Sequence, residues 1–370
     1  DAKRGFSVAQ PALLVAGGEG DSRLEADRQA VFLEEAPLEI QRRVQAALCN
    51  AVRAAGIGGG PGDWAGALAV RMAEADAGDW VALTELGLLD DLLKLGVAIE
   101  DLNYLTAGGE RVWHEPRGLV AGYNWPQIAI HRGQFYMFLL AKVRERLGLD
   151  AVRMGQMLTS VETVGGRVQA CFVDRASGQQ SVIGSDVLIG ADGIHSAVRR
   201  QFYPDEGSPR WNGVTLWRST SPVAAPMGGK ALIWAGRSSQ KFVAYPIGKD
   251  PETGLAQLNW VCDLKVSDDG TPPPRDWNMP GDRSDLLPRF ADWQWANVDV
   301  PAIIVASGPI YKFPMIDRDP LPQWTFGHVT LMGDAAHPMY PIGSNGATQG
   351  IIDARVFAWH MAQASSVEEA

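Results

Sequence analysis

A two-domain α/β chain is what this sequence predicts, with a block of antiparallel strands set between segments in which strands feed helices. Two patterns carry that expectation. Short apolar runs at Val187–Ile189 and Val329–Met332 each stop at a Gly/Asp pair and run on into a helical pattern. Residues 211–265 alternate apolar and polar side chains, the period of half-buried antiparallel strands. Length agrees, since 370 residues at roughly 150 per domain make two domains with a sizeable core.

From the N-terminus, Leu13-Leu14-Val15-Ala16 reads as a buried strand entering Gly17-Gly18-Glu19-Gly20. Ala30-Val31-Phe32-Leu33 reads as a second strand ending at Glu34-Glu35, and Gly56-Ile57-Gly58-Gly59-Gly60-Pro61-Gly62 as a loop. Thr84-Glu85 opens a helix carrying Leu86, Leu89, Leu92 and Leu93 and closing near Gly96. Phe135, Leu139, Val143 and Leu147 recur every fourth residue among charged neighbours, an amphipathic helix stopped by Gly148. Residues 161–173 read as a hairpin about Gly165-Gly166. Val187–Ile189 then delivers Gly190-Ala191-Asp192-Gly193 to a helix that starts near Ser196. Pro272-Pro273-Pro274 ends the alternating stretch, and a short helix covers Leu286–Phe290. Val329-Thr330-Leu331-Met332 is the last strand, followed by Gly333-Asp334, a Pro/Gly loop and a helix over 347–364. No internal repeat is present.

Composition narrows the function classes. Forty-three acidic against 33 basic residues give a net charge of −10, the opposite of a nucleic-acid footprint. No window approaches about 18 consecutive apolar residues, so a membrane-spanning helix is not expected. Cys49, Cys171 and Cys262 are far apart, which argues against a thiolate metal cluster or a disulfide scaffold and for a reducing, cytoplasmic compartment. The chain opens at Asp1 without a charged-then-apolar leader and stops at Ala370 just after a helical run, so truncation at the C-terminus is expected.

The chemistry sits at the two Gly/Asp junctions. A carboxylate at the end of a buried strand accepts hydrogen bonds from sugar or ribityl hydroxyls, and the adjacent glycine lets the backbone approach a ligand. Taken singly, such dipeptides are ordinary turn punctuation. The ordered pair, followed by Pro341-Ile342-Gly343-Ser344-Asn345-Gly346 leading into a helix, is far more specific. Free N–H groups at that helix start suit a developing negative charge. His131, His195 and His337 flank these motifs without forming a local His/Asp/Glu cluster, so no metal is expected. No Gly-x-Ser-x-Gly elbow supports a serine hydrolase.

Gly190-Ala191-Asp192-Gly193-Ile194-His195-Ser196-Ala197-Val198-Arg199 resembles the Asp-Gly motif of single-component, FAD-dependent aromatic monooxygenases. Gly333-Asp334-Ala335-Ala336-His337-Pro338 with Pro341–Gly346 resembles that family's Gly-Asp motif and flavin-ring loop, and Ile130-His131-Arg132-Gly133 its diphosphate-side arginine. Trp113–Gly118, Ala244-Tyr245-Pro246-Ile247 and Phe313–Leu321 are similar to the subgroup of phenazine-carboxylate hydroxylases. The resemblance spans about residues 84–364 and implies a para-hydroxybenzoate hydroxylase type of fold. That fold is a Rossmann-like FAD-binding domain with an inserted, mostly antiparallel β-sheet substrate domain.

By this resemblance, residues 1–96 are an atypical, disrupted start of the FAD-binding domain. Residues 97–200 continue it with Arg132 and the Asp-Gly motif, 201–322 form the substrate sheet, and 323–370 return to the FAD-binding domain. Asp334 is implied to bind the ribityl chain, with Gly333 beside it, and Arg132 to pair with the diphosphate. Asp192 and Gly193 would lie near the diphosphate and the approach of NAD(P)H. Pro341, Gly343, Gly346 and Ala347 would meet the pyrimidine edge of the flavin, and Glu34 or Glu35 the adenosine ribose. No obligatory side-chain acid or base is identifiable. NAD(P)H would visit transiently as reductant, and a small aromatic or heteroaromatic substrate and O2 would be the other partners. Trp217 and Tyr245 are placed against the planar substrate by strand alternation.

The front end departs from the family. Gly17-Gly18-Glu19-Gly20 does not spell Gly-x-Gly-x-x-Gly, and Glu19 would set negative charge beside a diphosphate. Gly56-Ile57-Gly58-Gly59 is closer to the fingerprint but follows the strand it should precede. The stretch between the first two strands is barely enough for a crossover helix. Tyr136 stands where the family often has Gln. Three readings stay open: an NAD(P)H- and O2-dependent aromatic hydroxylase, a non-hydroxylating flavin oxidoreductase of the same fold, and a silent homologue with impaired FAD binding.

Overall fold

The computed structural model describes the backbone of 13–15 and 31–33, and residues 78–250, 252–268, 279–295, 298–342 and 346–367. In chain order the elements begin with β1 (Leu13–Val15), β2 (Val31–Leu33), α1 (Gly78–Glu85) and α2 (Leu89–Leu95). There follow β3 (Val97–Ile99), β4 (Asp101–Leu105), β5 (Arg111–Pro116), β6 (Gln127–Ala129) and α3 (Arg132–Leu147). Next come β7 (Gln156–Val164), β8 (Arg167–Asp174), β9 (Gln180–Ser185), β10 (Val187–Gly190) and α4 (Ala197–Phe202). The middle of the chain forms β11 (Arg210–Val223), β12 (Ala231–Arg237), β13 (Gln240–Lys249), β14 (Ala256–Lys265) and β15 (Pro280–Gly281). The last elements are α5 (Arg283–Phe290), β16 (Gln294–Trp295), β17 (Val298–Asp299), α6 (Val300–Val305), β18 (Ile310–Asp317), β19 (Thr325–Phe326), β20 (Val329–Leu331) and α7 (Gly346–Gln363).

These elements fall into two compact units. One holds β1, β2 and the described residues of 138–208 and 318–370; the other holds the described residues of 62–137 and 209–317. The first is built on a five-stranded sheet of order β19-β20-β10-β1-β2, in which β1, β10 and β20 run parallel. Val187-Leu188-Ile189-Gly190 is buried at every position, as a strand inside a parallel sheet requires. β1 and β2 pair antiparallel, with Leu14 opposite Phe32. The β7-β8-β9 sheet adds Val168, Ala170 and Phe172 to a core shared with Leu188, Val198, Val329 and Leu331.

The second unit is an eight-stranded sheet of order β15-β18-β11-β14-β13-β12-β4-β5, antiparallel except between β12 and β4. One face carries Trp217, Phe242, Trp260 and Cys262, which pack with Leu286 and Phe290 of α5 and Ile303 and Ile304 of α6. On the other face Leu102, Leu232 and Val243 cluster with Tyr104, Trp234 and Tyr245. The architecture is thus α/β with a mostly antiparallel sheet. β4 and β5 come from residues that the sequence reading groups with the first domain. Their entry depends on a parallel partner 130 residues away (Ala231 opposite Asp101), which leaves no hairpin signal.

The helix expected over 84–96 is two helices. α1 ends where one was expected to open, because Gly87 adopts φ +65°. Gly87 N–H donates to Thr84 O and Leu88 N–H to Leu83 O, both at 2.8 Å, so the last carbonyls of α1 are satisfied in a left-handed cap. The leucine spacing continues through this break into α2.

Candidate flavin site

The two glycine–aspartate junctions lie side by side. β10 and β20 are paired with Gly190 opposite Leu331, and Met332 N–H donates to Gly190 O at 3.0 Å. Asp192-Gly193 and Gly333-Asp334 therefore follow the carboxyl ends of neighbouring parallel strands, where open α/β sheets bind ligands. Gly190 is fixed by packing, since a Cβ there would meet Val198 Cβ at 2.8 Å.

Asp192 is buried and turned toward α4. Its Oδ2 accepts the N–H groups of Ala197 at 2.6 Å and Val198 at 3.3 Å, while Ser196 Oγ accepts Arg199 N–H at 2.8 Å. Burial raises the Asp192 carboxyl above its ordinary range, opposed by the Ser196 hydroxyl and then by the N–H groups of Ala197 and Val198. Its Oδ1 is buried and has no hydrogen-bond partner among the described residues. Asp334 is exposed at the end of β20, next to Gly333 at φ +58°. A Cβ built at Gly193 or at Gly333 would meet no atom of the described residues within 4 Å. Open space at Gly333 beside the exposed Asp334 carboxylate fits a ligand rich in hydroxyl donors such as the ribityl chain of FAD.

A guanidinium joins the junctions. Arg199, 1% exposed, donates Nη1 to Ala335 O and Ala336 O and Nη2 to Asp319 O, and binds both oxygens of Glu206. Arg318 binds Glu206 Oε2 at 2.9 Å and donates to Ile194 O at 2.8 Å. The Glu206 carboxylate thus lies between two arginines. Across the turn, Asp353 Oδ2 meets Gly333 N–H and His337 Nε2. Arg199 and Arg318 occur within the sequence motifs, yet neither carries a role there. Asp353 leaves no signal, because it reads as one polar residue on a helix.

The other predicted positions are distributed as follows. Arg132 is exposed at the first turn of α3, in the sheet unit. Pro341 is exposed, and Gly346 and Ala347 open α7. Gly343, Glu34, Glu35, Glu19 and the glycine clusters at 17–20 and 56–62 lie outside the described residues. Trp217 and Tyr245 are not brought together. The ladder runs Trp217–Cys262–Phe242 on the α5/α6 face, whereas Tyr245 pairs with Asn259, an odd number of residues along, and faces the opposite way. Trp217 is 5% exposed, and its indole N–H donates to Asp285 Oδ2 at 3.1 Å.

Tyr245's face is polar as well as aromatic. Lys241 pairs with Asp263 at 2.7 Å and sits 4.7 Å from the Trp234 ring centre. Burial lowers the Arg218 pKa, Tyr245 and Asp263 raise it, and the charge of Arg132 acts with burial. Asn259 Nδ2 and Gln257 Oε1 are buried without hydrogen-bond partners among the described residues.

A parallel sheet whose strand ends present carboxylates and open glycine space, in a chain that also builds a large antiparallel sheet, defines a flavin-binding oxidoreductase. The sequence matches the family described as FAD binding domain over residues 82–368, and the chain belongs to that family of flavoprotein monooxygenases. It is 40% identical over 291 residues to phenazine 1,6-dicarboxylic acid hydroxylase PhzS of Lysobacter antibioticus, covering 78% of this chain and 72% of the relative. It is 29% identical to 6-hydroxynicotinate 3-monooxygenase of Bordetella bronchiseptica, covering 64% of this chain and 57% of that one. The crystal structure of Klebsiella pneumoniae HpxO with FAD and uric acid shares the fold, with a TM-score of 0.62 and 22% identity over 77% of this chain and 69% of that one. Among the described residues no helix is long and apolar enough to cross a membrane.

Proposed function

We propose that this chain uses NAD(P)H and O2 to hydroxylate an aromatic or heteroaromatic ring, with FAD as its cofactor. The observation that carries the reading is the register of β10 against β20, which sets Asp192-Gly193 and Gly333-Asp334 at adjacent strand ends. The 40% identity to a phenazine hydroxylase supports a fused or substituted aromatic acid as substrate.

FAD supplies the redox chemistry, including activation of O2. The chain's own residues bind and orient. Asp334 would accept ribityl hydroxyls, Arg132 would pair with the diphosphate, and Asp192-Gly193 would border the diphosphate. Gly333 leaves room for the ligand, Pro341 would border the pyrimidine edge, and the backbone N–H groups of Gly343, Gly346 and Ala347 would donate to it. Tyr245, with Arg218 on the same face, would contact the substrate, while Trp217 holds that strand onto α5 through Asp285. The free thiols of Cys171 and Cys262 accord with a reducing cytoplasm.

The test combines spectroscopy and labelling. The purified protein is expected to perturb the flavin spectrum on titration with FAD and, with FAD in excess and NADH or NADPH supplied, to transfer one atom of ¹⁸O₂ into a phenazine or hydroxyaromatic carboxylic acid. Reductant consumption without label in the product indicates a non-hydroxylating oxidoreductase. A second reading, a homologue whose dinucleotide end is impaired, is favoured by the antiparallel β1–β2 pairing. A colourless protein that binds no flavin on titration establishes it.

A further inference from the structure

Asp334 has no hydrogen-bond partner among the described residues and is exposed, so the direction of its carboxylate depends on the backbone that carries it. That backbone is held from α7. Asp353 Oδ2 accepts Gly333 N–H at 2.8 Å and meets His337 Nε2 at 2.6 Å. Inside this span the N–H groups of Ala336 and His337 both donate to Gly333 O at 2.9 Å. One carboxylate oxygen therefore pins the start and the end of the turn whose second residue is Asp334.

Gly333 makes this anchor necessary. Its φ of +58° costs glycine little, but glycine reaches the opposite sign of φ as readily, so the residue alone does not hold the turn. The bond from its N–H to an ionised carboxylate does, because charge-assisted hydrogen bonds are short and about twice as strong as neutral ones. The Asp353 side chain is 17% exposed, which shelters the bond from water. Arg199 holds the same turn by its carbonyls at Ala335 and Ala336, leaving Asp334 as the member of the turn that points outward.

We infer that Asp353 is a positioning residue for flavin binding: it fixes the Gly333–His337 turn so that Asp334 meets the ribityl chain. This rests on the flavin reading above. Asp353 acts through Asp334, so its contribution is present only while Asp334 is there to be aimed. The ribityl chain is common to FAD and FMN, so the effect is equal for both.

The experiment is a double-mutant cycle read by quenching of flavin fluorescence, with FAD and FMN as probes and the thermal unfolding of each apoprotein as the folding control. Asp334→Ala is expected to weaken binding by about one to two decades, the loss of one charge-assisted hydrogen bond. Asp353→Asn, which keeps an acceptor but loses the charge, is expected to weaken it about tenfold. The double variant is expected to bind as Asp334→Ala does. His337→Gln gives a second route to the same turn, with a smaller loss that also vanishes in the Asp334→Ala background. Losses that multiply in the double variants, or unchanged binding by Asp353→Asn, overturn the inference and leave the flavin reading standing. A wild-type chain that binds neither flavin overturns the flavin reading and the inference with it.

Discussion

Arg199 Nη1 lies 3.0 Å from Ala335 O and 2.9 Å from Ala336 O, so the helix after one glycine–aspartate junction holds the turn after the other. The same guanidinium binds Glu206, which Arg318 shares.

Removing that side chain leaves buried acceptors without donors. Arg199→Ala is expected to cost about 3–5 kcal/mol, the range for breaking a buried ion pair from one side. Arg199→Lys recovers only part, since an ammonium cannot reproduce the planar fork. Urea unfolding of the three proteins checks the order. A loss under about 1 kcal/mol for the alanine variant would show that the network contributes little.

Trp217 and Tyr245 are expected to separate stability from substrate binding. Trp217→Ala opens a cavity between the sheet and α5 and is expected to cost about 3–5 kcal/mol with little change in substrate KM. Tyr245→Phe removes a hydroxyl from the opposite face and is expected to raise KM with little loss of stability. Denaturation curves and steady-state kinetics on both variants decide it. The reverse pattern places the substrate on the α5 side.

His337 links pH to folding. The hydrogen bond to Asp353 raises the imidazole pKa, burial opposes the rise, and the charges of Asp353 and Asp334 add to it. A folded pKa above the unfolded value of about 6.5 means that this contribution is complete below pH 6.5. It fades as pH rises through the folded value. Wild type should therefore exceed His337→Gln most near pH 6 and least near pH 8.5, roughly, in urea midpoint. A gap that widens toward alkaline pH contradicts this assignment.

The front end makes a prediction about ligand choice. A diphosphate is cradled by the N-terminus of the helix that crosses between parallel strands. β1 and β2 are antiparallel, a pairing that needs no crossover. FAD is accordingly expected to bind weakly, with little advantage over FMN. Grafting a regular Gly-x-Gly-x-x-Gly strand–helix unit before Val31 is expected to improve FAD affinity and leave FMN affinity alone. Sub-micromolar FAD binding by the ungrafted chain removes this prediction.

Much of the architecture is legible in the sequence because it is local. The fourfold spacing of Phe135, Leu139, Val143 and Leu147 announces α3, and the apolar runs that stop at Asp192-Gly193 and Gly333-Asp334 announce β10 and β20. What escapes is relational. Alternation tells which residues of one strand share a face, but the faces of Trp217 and Tyr245 are compared only through the register of β11, β14 and β13. The break between α1 and α2 is marked by Gly87 alone, against a leucine period that runs through it. Asp353 is invisible for the same reason: its partners, Gly333 and His337, are 20 and 16 residues away.

The pairing of Leu188 with Val329 also has a consequence for biosynthesis. β10 leaves the ribosome long before β20, so one side of a wholly apolar strand stays bare while the antiparallel sheet is made. A nascent or proteolysed chain that stops short of Val329 keeps that open edge permanently, and such an edge templates association with other chains. Self-association is therefore expected of a product truncated before Val329.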